Sequence, residues 1–399
     1  MGADYVRANA GREVSTEDLQ AALEIAAGRD LAPLFTDWFS QSGDPRLDLD
    51  WDYEPSTKQL TYSLRQVRSL GGRARQYRAA VEIEVHSGAW VQRFPLDINS
   101  DRVRRSFTLP GPPDWVRFDP EGGYPCERAA GSAGAPPLAQ ASRDVDPMGR
   151  VEAIEELGRR LAGGGAGALR DSYLSKVSDR ALRDPSAEVR SAAVRVLAAE
   201  RTRTAALRLR QVAEADRDLH VRAAALEALE PFGPDRDLAD LAEAEFADRA
   251  SWRCMAAAAG LRTAAAPQDA ALWLTDRLVL ESPAQRLRAA LLGELGKLEG
   301  SDSEELLLGW ARNAAAGAQV RAAAIEALGR LRPRAGDVGA ALVEILGEPD
   351  GGPLVRATVL DALSGRSDSN SRRALEFWNA RGAVSASAED AVYAPVEGD

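Results

Sequence analysis

The sequence predicts a multidomain α and β protein: a short helical N-terminal segment, a small β-sandwich, then an all-α solenoid. Three observations predict it. The spacing of apolar residues changes from about 3.6 to 2 at Leu47. A series of short alternating runs ends near Phe118. Beyond it an arginine recurs at Arg190, Arg222, Arg253, Arg288, Arg321 and Arg356, in steps of 31 to 35 residues. A fixed period of that length marks stacked supersecondary units, each too short to bury its own apolar face.

Residues 1–46 read as helical. Ser15, Thr16, Glu17 and Asp18 have capping-box spacing ahead of Leu19, Leu23 and Ile25, and Gly28 ends that helix. A second short helix holds Leu31, Leu34, Phe35, Trp38 and Phe39 and stops at the turn Gly43-Asp44-Pro45. Phe35, Trp38 and Phe39 read as packing anchors, and Leu23 with these aromatics is expected to form an apolar patch if an upstream domain is absent.

Residues 47–118 read as the sandwich. Leu47, Leu49, Trp51 and Tyr53 alternate with Asp48, Asp50 and Asp52, which places the aspartates on an exposed strand face rather than in a calcium cage. Leu60, Tyr62 and Leu64 alternate likewise, as do Val81, Ile83 and Val85 against Glu82, Glu84 and His86. Shorter strands are expected at 90–94, 106–109 and 115–118, with turns at Gly71-Gly72 and Ser87-Gly88. His86, on the polar phase, is expected at the surface. Residues 119–147, rich in Pro, Gly, Ala and Ser, read as a linker.

Residues 148–384 read as the solenoid, opened by a divergent repeat at Arg150, Ile154 and Leu157; residues 385–399 read as a disordered tail. An apolar residue precedes each recurring arginine, and leucine follows seven residues on at Leu197, Leu229, Leu295, Leu328 and Leu363. The third copy slips, with Gly260 at that place and Leu261 next. Six residues before the arginine stand Asp184, Asp216, Ser282 and Asp350, expected as N-caps, with Pro185 and Pro283 at first helical positions. The arginines are expected to reach toward the preceding unit's loop and form a structural ladder of charge-assisted hydrogen bonds.

Two resemblances follow from these residues. Asp184–Ala193 and Val320–Gly329 resemble HEAT repeats, a family of binding arrays. The stretch Asp18-Leu19, Leu23-Glu24, Gly28–Leu31, Phe35, Trp38-Phe39, Gly43, Pro45 and Leu47 resembles the end of the catalytic domain of M1 zinc aminopeptidases. The M1-like packing motif is thus Leu31, Phe35, Trp38, Phe39, Gly43 and Pro45. That family continues with a β-sandwich and a helical C-terminal domain that closes over the active site, in the order seen here. The resemblance implies a zinc site only upstream, in a catalytic domain if one exists.

The chemistry is otherwise sparse. Zinc peptidase work needs two histidines one helical turn apart and two glutamates, whereas the chain has only His86 and His220 and no His-Glu-x-x-His. No residue is therefore assigned a catalytic or metal-binding role. His220 reads as a local hydrogen-bonding group. Glu243, Glu245 and Asp248 read as a solvated helix face, and Cys126 and Cys254 as ordinary thiols. A net charge of −11 excludes nucleic acid as the expected partner. No apolar run nears the ~20 residues that span a bilayer. The N-terminus lacks an apolar signal core, so the chain as written is expected in the cytoplasm, the compartment of any longer parent being left open.

The leading reading is the non-catalytic C-terminal portion of an M1 metallopeptidase-like protein. Its array would shape substrate access or bind a protein or peptide, including an upstream catalytic domain. The alternatives are a stand-alone HEAT scaffold and, behind it, a HEAT-type lyase.

Overall fold

The computed structural model describes residues 2–40, 45–67, 77–128, 137–164, 166–298, 303–331, 337–348, 351–366, 371–373 and 375–376. Gly43, Gly71-Gly72, Asp350 and the 385–399 tail lie outside them. The chain divides into two compact units, Met1–Arg180 and Ala181–Asp399.

The first unit opens with helices α1 (Gly2–Asn9), α2 (Thr16–Ala27) and α3 (Ala32–Trp38). Helix α2 starts on the capping box Ser15–Asp18 and ends at Gly28, whose φ of 63° is the left-handed conformation that glycine adopts without strain. Strands follow: β1 (Arg46–Glu54), β2 (Gln59–Val67), β3 (Ala79–Ser87), β4 (Trp90–Ile98), β5 (Arg102–Thr108), β6 (Trp115–Phe118) and β7 (Glu127–Arg128). They form two sheets, ordered β5-β2-β1-β7 and β4-β3-β6. The β1/β2 register sets Leu49 opposite Leu64 and Trp51 opposite Tyr62, and the β3/β4 register sets Ile83 opposite Phe94. One core lies between them, with Leu47, Leu60, Leu64 and Ile83 at 0–2% exposure. The period-2 pattern is realised in β1 and β2, where one face of the sheet is buried.

Three features of this unit differ from the sequence reading. The 119–147 segment supplies β7, which pairs in parallel with β1, and a short helix α4 (Gln140–Arg143). Of the anchors, Phe35 is buried and Trp38 packs on the sandwich core between Tyr77 and Tyr124, each ring centre 5.1 Å away. Phe39 is exposed and stacks on Phe35, while Leu23 is half-buried. The apolar patch is thus smaller than expected, because Phe35 is buried and the sandwich takes Trp38. His86 is buried, not at the surface. The polar face of β3 is covered: His86 stacks on Trp115, and Glu84 is met by His86, by Arg93 of β4 and by Arg117 of β6, which in turn is surrounded by acidic residues of the segment leading into helix α5 (Pro147–Ala162).

Helix α6 (Arg170–Arg183) leads into the second unit, made of α7 (Ala187–Glu200), α8 (Arg203–Ala215), α9 (Leu219–Leu229), α10 (Arg236–Asp248), α11 (Trp252–Ala265), α12 (Pro267–Arg277), α13 (Arg286–Leu295), α14 (Ser303–Arg312), α15 (Ala318–Arg330), α16 (Asp337–Leu346) and α17 (Pro353–Ser364). The odd-numbered helices carry the recurring arginines, and each packs on the next odd one from α7 to α17. The recurring leucines are buried to 0–1% exposure, and in the third copy it is Leu261 that takes the place.

Small residues set how closely these helices approach. A Cβ added at Gly296 would lie 2.6 Å from Ala327 Cα and Cβ, and one at Gly329 would lie 3.2 Å from Ala362 Cβ. Gly296→Ala is therefore expected to cost about 1–3 kcal/mol through overpacking, read as a lower urea midpoint. Gly293→Ala, with nothing within 4 Å of the added carbon, is expected to be neutral or slightly stabilising.

Candidate functional site: arginine ladder and polar pocket

Each rung starts from a helix end. Buried Arg190 donates through Nη1 to the carbonyls of Asp184 (2.9 Å) and Pro185 (3.3 Å), just past α6. Arg150 repeats this on Asp144 (2.9 Å) and Val145 (3.3 Å), just past α4. Arg288 donates to the Leu278 carbonyl (2.7 Å), Arg321 to that of Ala311 (2.8 Å) and Arg356 to that of Glu348 (3.3 Å). A helix C-terminus presents unpaired carbonyls and a partial negative charge, so a guanidinium satisfies both.

The carboxylate partner comes from the other side. Arg190 forms a two-pronged pair with Asp216, Nε–Oδ2 2.7 Å and Nη2–Oδ1 2.8 Å, both side chains 4% exposed. Arg222 binds Glu245 and, at 3.1 Å, Asp248; Arg321 binds Glu348. The bonds to the preceding loop are therefore to carbonyls, and the carboxylates belong to the following unit. Asp216, Glu245 and Asp248 all lie at or near the C-terminal ends of their helices, α8 and α10.

The remaining expected ladder residues fall differently. Asp184 is buried and accepts from Ser186 N (3.0 Å), while the N-cap of α7 is Ser186. Asp216 is a C-cap, and Asp218 caps α9. Pro185 accordingly lies in the turn before α7. Ser282 caps a 3₁₀ turn, Pro283–Gln285, and accepts from Leu287 N (2.8 Å). Arg253 is exposed beside the Trp252 ring. Counting back seven residues from buried Leu261 gives Cys254, which is fully buried and donates to the Leu219 carbonyl. The one-residue slip thus takes Arg253 out of the ladder. Of the expected solvated helix face, Glu243 and Asp248 are exposed, with Glu243 accepting from Trp273 Nε1 and Arg277, whereas Glu245 is buried on Arg222.

No group of three or more His, Cys, Asp or Glu among the described residues could hold a metal ion. His86 is engaged by Glu84 (2.8 Å) and stacked on Trp115, and His220 is exposed beside Asp218. These residues do not fit a peptidase zinc.

A cavity of ≈ 580 Å³ opens in the second unit, lined by Glu230, Gly260, Thr263, Glu294, Lys297 and Leu298 among others. Glu230 follows the last residue of α9, and Glu294 lies in the last turn of α13. Lys297 Nζ is 2.7 Å from Glu294 Oε1 and 3.8 Å from Glu230 Oε2. Glu294 Oε2 is buried without a hydrogen-bond partner. A Cβ added at Gly260 would fall 2.3 Å from Glu230 Oε1, so glycine is what leaves room for that carboxylate.

The sequence signal for this pocket lies in the repeat register. One residue before the buried leucines stand Val196, Ala228, Gly260, Glu294, Ala327 and Ala362; one residue after stand Ala198, Glu230, Arg262, Gly296, Gly329 and Ser364. Charge at these otherwise small or apolar places is confined to neighbouring repeats, and two of the three charged residues line the cavity.

Burial raises the pKa of Glu230, and Lys297 only partly opposes it. A carboxyl group whose folded pKa is raised adds stability below its unfolded pKa and loses it as pH rises through the folded value. Glu230→Gln is therefore expected to stabilise the fold at pH 7 by about 1 kcal/mol, with the gain vanishing near pH 4. Urea titrations at the two pH values check this.

Residues 174–262 match the family of HEAT repeats. No curated protein matches the chain. Among solved structures, aminopeptidase A of Legionella pneumophila, crystallised with aspartic acid, is similar with a TM-score of 0.62 at 14% identity, over 98% of this chain and 53% of that one. The likeness is one of fold. The chain spans about half the length of that protein. The second unit is a HEAT-like helical array, a kind of structure that commonly mediates protein interactions. No helix among the described residues is long and apolar enough to cross a membrane.

Proposed function

We propose that this chain is the non-catalytic C-terminal portion of an M1 metallopeptidase-like architecture, and that its HEAT-like array binds a peptide or protein and shapes access to a catalytic domain. The observation that carries this reading is the coverage: nearly all of this chain, but about half of the aminopeptidase, takes part in the likeness. The packing of Trp38 of α3 on the sandwich core supports it, since that residue belongs to the M1-like motif.

The test is metal content, turnover and binding on the purified chain. The expected result is substoichiometric zinc, no hydrolysis of aminoacyl arylamides, and saturable binding of a mixed decapeptide pool by fluorescence anisotropy. Stoichiometric zinc with turnover, or no binding by the pool, would overturn the proposal.

A further inference from the structure

We infer that the cavity between the ends of α9, α11 and α13 is a binding site for a primary ammonium group, carried by a lysine side chain or a peptide N-terminus. The inference rests on the reading above only in taking the array as a binding surface, and does not depend on its peptidase-like ancestry.

Four observations lead there. Two carboxylates, Glu230 and Glu294, face the cavity against a single cation, Lys297. Both stand at helix C-terminal ends, where the carbonyls disfavour an anion and favour a cation. Glu294 Oε2 is buried with no donor, although an unsatisfied buried carboxylate oxygen is costly. The repeat pattern departs here from small residues to charged ones, with Gly260 clearing space for Glu230. A packing role would favour the alanines and glycines used in the later repeats.

The chemistry selects the ligand. An ammonium offers three donors, enough to meet the Glu294 and Glu230 carboxylates together. It also brings the positive charge that this group of two acids and one base lacks. Ala264, Pro267, Ala271 and Leu298 line the same cavity and suit an aliphatic stem. The volume of ≈ 580 Å³ lies within the range of small-ligand sites, about 300–1,000 Å³.

The experiment uses three fluorescent decapeptides and the full chain. One has a free N-terminus and no lysine, one is N-acetylated with a single lysine, and one is N-acetylated with norleucine in its place. Binding of the first alone assigns the N-terminus, and binding of the second alone assigns the lysine side chain; either supports the inference, as does binding of both. The norleucine peptide is expected to bind at least about tenfold more weakly. Glu294→Gln, which keeps the shape of the side chain, is expected to weaken the ammonium peptides by about tenfold while leaving the norleucine peptide unchanged. Should that variant fail to fold, competition of the wild-type complex by butylamine, with butanol as control, gives the same reading. Equal binding of all three peptides, no binding below about 1 mM, or butanol competing as well as butylamine would overturn it.

Discussion

Replacing Arg190 by alanine is expected to destabilise the second unit by roughly 3–5 kcal/mol, because it leaves Asp216 buried without its counter-charge. Both partners are 4% exposed and joined by two hydrogen bonds of 2.7 and 2.8 Å, so solvent does little to screen the pair. The same substitution takes a donor from the carbonyls of Asp184 and Pro185, just past the preceding helix, Pro185 keeping Arg217 as a second donor. Arg253→Ala makes the control, since that side chain is exposed and outside the ladder; it is expected to change stability by less than about 0.5 kcal/mol. Urea unfolding gives the size of each effect, and hydrogen exchange locates it, with loss of protection expected across α7–α9. Equal effects of the two substitutions would show that the ladder assignment is wrong.

That contrast also shows how far the sequence could be read. The arginine period located the helices that stack, because a buried guanidinium must recur wherever the same helix end recurs. It could not show which carboxylate answers each arginine: Asp216, Glu245 and Glu348 lie at different places in the first, second and fifth repeats, and only folding brings each to its arginine. The slip at Arg253 was visible as the displaced Leu261, but the period alone weighs an arginine above the leucine register. Burial reverses that weighting, since an apolar side chain must remain inside while an arginine can turn out to water.

In the sandwich, alternation located six strands and the core they share. It gave no sign that the polar side of β3 is covered, because a charged residue on a strand reads as exposed whether water or another charge meets it. Glu84 and His86 are buried by groups that lie far further along the chain, Arg117 and its acidic partners among them. The short β7 escaped for a different reason: two residues hold no period.

Those partners make the second large effect. Arg117 is 4% exposed and lies 2.8 Å from Asp146, 3.8 Å from Asp144 and 3.9 Å from both Glu152 and Glu84. Gly149 permits the arrangement, since a Cβ there would fall 1.9 Å from Asp144 Oδ2. Arg117→Met keeps much of the volume but leaves four carboxylates around an apolar stem, and is expected to cost the first unit roughly 3–5 kcal/mol at pH 7. The pH dependence separates charge from packing. Burial pushes the Glu84 pKa up, but the bonds from His86 and Arg93 outweigh it and hold the carboxyl below its ordinary value. A lowered folded pKa gives stability above the unfolded value, about 4.3, that is lost as pH falls through the folded one. The wild type is therefore expected to weaken below about pH 4, whereas the Arg117→Met deficit should shrink there as the opposed carboxylates gain protons. A deficit of the same size at pH 7 and pH 4 would instead mean that Arg117 acts by filling space.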